Sequence, residues 1–136
     1  MSQLHLKIVT PEKLLVDEEV SGVNVSTEQG QLGILPNHAS LMAKLSPGEL
    51  IIKKGGKTDS LAIGDGFLQI VNNNLTVMTD LATYADDIDE KAVEEAKKRA
   101  EQALEQTLSN EEYAETLAAL EKSLAQLRIK RRHRVR

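Results

Sequence analysis

Gly30-Gln31-Leu32-Gly33-Ile34-Leu35-Pro36-Asn37-His38 sets two leucines and an isoleucine among glycines and a proline, a pattern no helix can carry. Glycine lets one backbone approach another closely, while Pro36 cannot donate a ladder hydrogen bond and holds its neighbours extended. Apolar side chains in such a setting usually meet something. Two compatible readings follow. One is a wide bulge that feeds a buried strand; the other is a loop that contacts a partner.

On either side of this stretch, from Leu4 to about Tyr84, apolar residues recur every second position, as in Leu4, Leu6, Ile8, then Val23, Val25, and later Leu75, Val77. That is the period of half-buried strands. The breaks carry turn chemistry at Thr10-Pro11, Ser46-Pro47-Gly48, Lys54-Gly55-Gly56-Lys57, Gly64-Asp65-Gly66 and Asn72-Asn73-Asn74. Many short strands at such spacing predict a β sandwich or flattened barrel. With Phe67 and Tyr84 as its only aromatics, this half is expected to build its core from Val, Ile, Leu and Met.

After Ala85 the period becomes helical, which divides the chain into a strand domain over 1–85 and a helical hairpin with a basic tail over 86–136. Asp86-Asp87-Ile88-Asp89 offers an aspartate to cap the first free N–H groups, with Ile88 placed as a hydrophobic staple. Ala92, Ala96, Ala100 and Ala103 with Leu104 form a narrow seam, and Glu94–Lys98 and Glu95–Arg99 are spaced for i,i+4 pairs. Ser109-Asn110-Glu111-Glu112 fits a capping box that starts a second helix, where Tyr113, Leu117, Leu120, Leu124 and Leu127 recur at steps of four and three. The two helices should pair antiparallel. An alanine seam buries little surface against an ordering cost of about 1–2 kcal/mol per residue, so the hairpin needs a docking surface. It reads either as permanently packed on the strand domain or as a detachable element.

With 136 residues the chain holds one ordinary domain and a small appendage. It has no cysteine, so disulfide frameworks, thiolate nucleophiles and thiolate metal sites are all excluded. No apolar run reaches the roughly 18 residues of a membrane span, so any membrane association is expected to come through partners. The start, Met1-Ser2-Gln3-Leu4-His5-Leu6, lacks the features of a leader, as expected of a bacterial or organelle-encoded product. The net charge of −4 conceals a polarity: Arg128, Lys130, Arg131, Arg132, Arg134 and Arg136 crowd the last nine residues, while the preceding helical stretch is acidic. Such a basic end can dock on an acidic partner, an anionic lipid surface or nucleic acid, or simply be solvated.

Several motif-like fragments lack what their chemistry requires. Gly56-Lys57-Thr58 has Ile51 where a phosphate-binding loop needs its first glycine, and strand-like residues follow where a helix should start. Gly64-Asp65-Gly66 has no third glycine. His5, His38 and His133 are scattered without metal-ligand spacing, and His38 reads as a contact or loop-anchoring residue. The acidic run at 86–90 lacks the glycine of a calcium loop, and no serine sits in a nucleophile elbow. No enzyme chemistry has residues to stand on.

Read in order, the Val9-Thr10-Pro11-Glu12 opening, the Leu-Gly-Ile-Leu-Pro stretch from Leu32 with His38 two residues on, the Gly66-Phe67-Leu68-Gln69-Ile70 strand, Asp87-Ile88-Asp89 and Ala125-Gln126-Leu127-Arg128 resemble the epsilon subunit of the rotary F-type ATP synthase. The resemblance covers nearly the whole chain. It implies a flattened sandwich of about ten strands at the foot of the central stalk, followed by an antiparallel helical hairpin able to extend towards the catalytic head. It also implies a non-catalytic subunit. Gln29, Gln31, Leu32, Ile34, Leu35, Asn37 and His38 would contact the gamma subunit and the c subunits of the proton-driven rotor ring. Lys122, Arg128, Arg131 and Arg132 would meet acidic side chains of the alpha and beta subunits, and so inhibit ATP hydrolysis. Arg128, Arg131 and Arg132 lie three and four apart on one helix face, as that docking needs.

Some members of that family bind regulatory ATP through an Ile/Leu-Asp-x-x-Arg-Ala pattern; here Ala92 stands where the arginine would be, so no cofactor is expected. The implied location is peripheral, on the cytoplasmic face of a bacterial plasma membrane or the stromal face of a thylakoid. The alternative is a sandwich-and-hairpin adaptor that docks acidic partners or nucleic acid through its arginine tail. An acidic sandwich almost without aromatics for base stacking argues against nucleic acid.

Overall fold

The computed structural model describes residues 3–106 and 109–134, the last two of these by backbone alone. The chain divides into two compact units, Met1–Tyr84 and Ala85–Arg136.

The first unit contains nine strands: β1 (Leu4–Val9), β2 (Leu14–Val20), β3 (Gly22–Thr27), β4 (Gly30–Ile34), β5 (Leu41–Lys54), β6 (Lys57–Ile63), β7 (Gly66–Val71), β8 (Asn74–Thr79) and β9 (Ala82–Tyr84). One layer runs β2-β1-β8-β7-β5, with β1 and β8 parallel and the other pairs antiparallel. The other runs β4-β3-β5-β6-β9, antiparallel throughout. β5 belongs to both: Leu41–Lys44 pair with β7, whereas Gly48–Lys54 pair with β6. Nine strands therefore fill the ten places of a sandwich.

The bend in β5 corrects one sequence expectation. Ser46-Pro47-Gly48 does not break the chain into two strands but forms a bulge inside one, where the register against β3 jumps from Val25↔Leu50 to Thr27↔Leu45. Pro47 lacks a donor for the ladder, and the bulge is where that loss is tolerated. Gly48 lies so close to β3 that a Cβ would sit 2.5 Å from Ser26 Oγ. The other breaks are true turns. Gly55 and Gly56 (φ 56° and 82°) join β5 to β6, and Asn72 and Asn73 (φ 49° and 64°) join β7 to β8, both in the left-handed conformations a two-residue hairpin turn requires.

Alternation sorts the side chains. Leu4, Leu6, Ile8, Val23, Val25, Ile34, Leu45, Leu50, Ile52, Leu61, Ile63, Leu68, Ile70, Leu75 and Val77 all face the space between the layers. Burying each such side chain contributes about 1.5–3 kcal/mol. The expected methionines are not among them: Met42 and Met78 lie outside, as does Phe67, because each shares the parity of polar outward neighbours such as Gln69 and Thr76.

In the second unit a 3₁₀ turn (Ala85–Asp87) leads to α1 (Glu90–Leu104) and α2 (Asn110–Arg134). Asp89 caps α1, its carboxylate accepting from Ala92 N–H at 3.2 Å. Ser109 caps α2: its Oγ accepts from Glu112 N–H at 3.2 Å and donates to Glu112 Oε1 at 2.9 Å. α2 packs against α1 and against the 3₁₀ turn. Arg131, near the end of α2, pairs with Glu90 and Glu94 at the start of α1, so the helices run antiparallel. The seam of α1 is shifted from its expected place. Ala100 is buried with Val93, Ala96, Ala103 and Leu104 partly buried, whereas Ala92 is exposed. Glu94 reaches across to Arg131 instead of pairing with Lys98, and the i,i+4 pair of α1 is Lys97–Glu101 at 3.9 Å.

Candidate functional site: an exposed apolar turn, a patch and a cationic helix

The glycine-rich stretch is strand before it is loop. Gly30–Ile34 is β4, an edge strand paired with β3 in unbroken register from Thr27↔Gly30 to Val23↔Ile34, so the bulge expected there is absent. The β3–β4 tip is stapled by Thr27, whose Oγ1 donates to Gly30 O at 2.7 Å and accepts from Gln29 N–H at 3.2 Å. Glu28 ties the tip to β5, its N–H donating to Lys44 O at 3.0 Å and its carboxylate pairing with Lys44 at 3.1 Å. Gln29, Gln31 and Leu32 line a groove of about 330 Å³ against Leu41, Met42, Ala43 and Lys44. Gln31 is held there by Ser26 Oγ, which accepts from its Nε2 at 2.8 Å.

Past β4 the chain turns over Leu35-Pro36-Asn37-His38. Leu35 is 62% exposed, Asn37 is exposed, and His38 is half-buried with its Nδ1 2.7 Å from Ala39 O. Ile34 differs from its neighbours: it is fully buried in the core, and alternation forbids it from sharing the outward face of Gly33. It therefore cannot serve as a contact residue without leaving that core.

Alternation also builds a second surface. On the outer face of the β2-β1-β8-β7-β5 layer, Phe67 (51% exposed) lies directly across from Met78 (43%) and beside Lys44, and Met42 (66%) lies across from Gln69. With Val9 and Pro11, Phe67 and Met78 line a shallow depression of about 620 Å³. Gly66, which precedes Phe67, has φ 151°, and a Cβ there would collide with the Met78 carbonyl, so this close approach of β7 to β8 requires glycine. The signal was present in the sequence: Phe67 precedes inward Leu68 and Met78 follows inward Val77.

On the other side of the same layer's edge, β2 carries charge. His5 on β1 donates towards Glu19 (Nδ1–Oε1 2.6 Å) and Asp17 (Nε2–Oδ1 2.5 Å), and these bonds, Glu19 first, raise its pKa above the ordinary value. Lys54 bonds to Glu18 at 2.9 Å, which raises its pKa and joins the end of β5 to β2.

The four expected cations sit on α2. Arg128 and Arg132 are exposed and Lys122 is partly buried. Arg131 is engaged inside the hairpin: its Nε donates to Glu90 at 3.0 Å and its Nη2 to Glu94 at 2.6 Å, and these two bonds, Glu90 first, raise its pKa. Backbone helix continues through Arg134, whereas Arg136 and the side chains of His133 and Arg134 lie outside the described residues. Among the described residues no group of His, Asp and Glu could hold a metal, and no helix is long and apolar enough to cross a membrane.

The family model for the β-sandwich domain of the ATP synthase delta/epsilon chain matches residues 3–85, and that for its long α-helix domain matches residues 86–131. This chain belongs to the epsilon-chain family of F-type ATP synthase. An ATP synthase epsilon chain of Nitratidesulfovibrio vulgaris is 39% identical over 127 residues, 93% of this chain and 95% of that one. One of Herpetosiphon aurantiacus is 38% identical over 133 residues, 98% of each. The fold is similar to a chain in the OSCP/F1/c-ring structure of the Euglena gracilis mitochondrial ATP synthase, with a TM-score of 0.78 at 22% identity, covering all of this chain and 83% of that one. It is also similar to a chain in the central stalk and c-ring of the Tetrahymena thermophila enzyme, with a TM-score of 0.67 at 13% identity, covering 93% and 96%. The chain is accordingly an epsilon-type subunit of the synthase and not itself an enzyme.

Proposed function

We propose that the sandwich couples the rotor ring to the gamma subunit, and that the hairpin restrains ATP hydrolysis when it extends to the alpha and beta subunits. The observation that carries the first half is Leu35: a large apolar side chain held 62% exposed on an ordered turn, next to Asn37 and His38, at the other end of β4 from Gln29. A partner that covers it gains apolar burial at little ordering cost. Ring contacts fall to the 29–38 stretch, and gamma is shared between that stretch and the Met42–Phe67–Met78 face, an aromatic and two flexible methionines being suited to a packed interface.

The second half is supported by the cations of α2. Arg131 already satisfies carboxylates within the hairpin, so acidic side chains of the catalytic head can take the place of Glu90 and Glu94 when the helices part. Arg128, Arg132 and Lys122 add steering charge. The chain would then work as a peripheral subunit on the cytoplasmic face of the membrane. No nucleotide site is assigned: exposed Ala92 offers no guanidinium for a phosphate.

The test is ATP hydrolysis by a catalytic head, with its gamma subunit, stripped of its own epsilon chain. The full chain should bind and inhibit; a chain ending at Ala85 should bind without inhibiting. Binding of both without inhibition would remove the braking role, and binding of neither would remove the coupling role.

A further inference from the structure

The turn that presents Leu35 and His38 is closed by one hydrogen bond of its own, His38 N–H to Leu35 O at 3.2 Å. Pro36 supplies the fixed φ at its second position and Asn37 takes φ 69° at the third, the arrangement of a type II turn. The Asn37 N–H plays no part in that closure. It donates instead to Asn73 Oδ1 at 2.5 Å, and Asn73 Nδ2 donates back to Asn37 Oδ1 at 3.2 Å. A backbone N–H can only donate, so the first bond decides which end of the Asn73 amide faces the turn, and the second follows from it.

Asn73 is itself well anchored. It is the second residue of the β7–β8 turn, at φ 64°, and its carbonyl accepts from His5 N–H on β1 at 2.8 Å. The clasp thus joins a turn carrying the exposed leucine to the middle of the opposite layer, across 36 positions of sequence.

We propose that Asn73 is a positioning residue for partner binding: its amide clasps Asn37 and holds the Leu35–His38 turn in the one orientation that meets the rotor. This rests on the reading that the 29–38 stretch contacts stalk partners. A turn ordered before binding loses less freedom on docking, so the clasp acts on affinity without touching the partner.

Asn73→Gly removes the amide and keeps the left-handed backbone, so the β7–β8 turn is not strained. Asn73→Asp keeps an acceptor for the Asn37 N–H and also tolerates that backbone. Both would be measured in the full chain by amide hydrogen exchange and by affinity for a gamma–rotor-ring complex stripped of its own epsilon chain. With Asn73→Gly, exchange at Asn37 should rise about three- to ten-fold, amides of Leu68 and Val77 should be unchanged, and binding should weaken by a similar factor. Asn73→Asp should restore most of both. Leu35→Asp serves as the independent probe of the contact itself and should abolish binding while Asn37 stays protected. Unchanged exchange at Asn37 in Asn73→Gly overturns the clasp. Faster exchange with unchanged affinity overturns the positioning role, while loss of binding by Leu35→Asp would leave the coupling reading standing. Full binding by Leu35→Asp refutes the contact reading and this proposal with it.

Discussion

Replacing Ala100 by leucine should loosen the helical hairpin and leave the sandwich alone. Ala100 is 8% exposed and is the one buried residue of α1, whose packing partner is α2. Its neighbours along the seam, Ala96 and Ala103, are small, a pattern that suits close helix approach, and leucine adds three carbons at the buried position between them. Overpacking of this kind costs about 1–3 kcal/mol. At about 1.4 kcal/mol per factor of ten, the open fraction of the hairpin should rise roughly 5- to 150-fold. Hydrogen exchange followed by mass spectrometry reads this directly, since peptides from 90–104 should exchange faster by that factor. Peptides from 4–79 supply the internal reference, because the sandwich has a core of its own. Ala92→Leu, at an exposed position of the same helix, should change nothing. Equal exchange of 90–104 in Ala100→Leu and the parent would refute the close seam. An equal acceleration in the sandwich peptides would refute its independence.

Three further outcomes are expected. His5 has a raised pKa in the folded state, so its bonds to Glu19 and Asp17 contribute fully below the unfolded value of about 6.5 and are lost as pH rises through the folded value. The thermal midpoint should therefore fall as pH rises above about 6.5, and His5→Gln should flatten that fall; an identical slope in the variant would show that another group titrates. Phe67→Asp should shift stability by no more than about 0.5 kcal/mol, yet weaken binding to gamma at least about ten-fold in a titration with the epsilon-depleted head. Undiminished affinity would remove that face from the interface. Exchanging Arg128, Arg131 and Arg132 together for glutamine should weaken inhibition of hydrolysis most at about 10 mM salt, where screening reaches about 30 Å, and least at physiological strength. A loss of inhibition independent of salt would argue for packing and against charge.

Much of this was legible because strands alternate. Leu4, Leu6 and Ile8, or Val23 and Val25, declare their inward face by parity alone, and the same rule puts Phe67 and Met78 outside, against the expectation that methionine joins the core. Caps were legible for a similar reason: Asp89 and Ser109 stand where a helix's first N–H groups must be satisfied. What was hidden depended on distant partners. Ser46-Pro47-Gly48 has the composition of a turn, and only pairing on both flanks keeps β5 continuous through it. Gly30 to Gly33 has little strand propensity, and its place in the sheet comes from β3. The Asn37–Asn73 clasp and the seizure of Arg131 by Glu90 and Glu94 join residues far apart in sequence, beyond the reach of any local pattern.

The bent fifth strand has a mechanical consequence. In an ordinary sandwich two layers are held by side-chain packing alone, and a sideways load can make one slide over the other by exchanging non-bonded contacts. Here Leu41–Lys44 are woven into one layer and Gly48–Lys54 into the other, so such a slide would have to stretch a single continuous backbone. Shear applied to the outer face of one layer is carried to the other through covalent bonds, with the Ser46-Pro47-Gly48 kink as the stressed corner. The unit should respond to twisting as one stiff block, and its first point of mechanical failure should be the outer strands β2, β4 and β9, each hydrogen-bonded along a single edge.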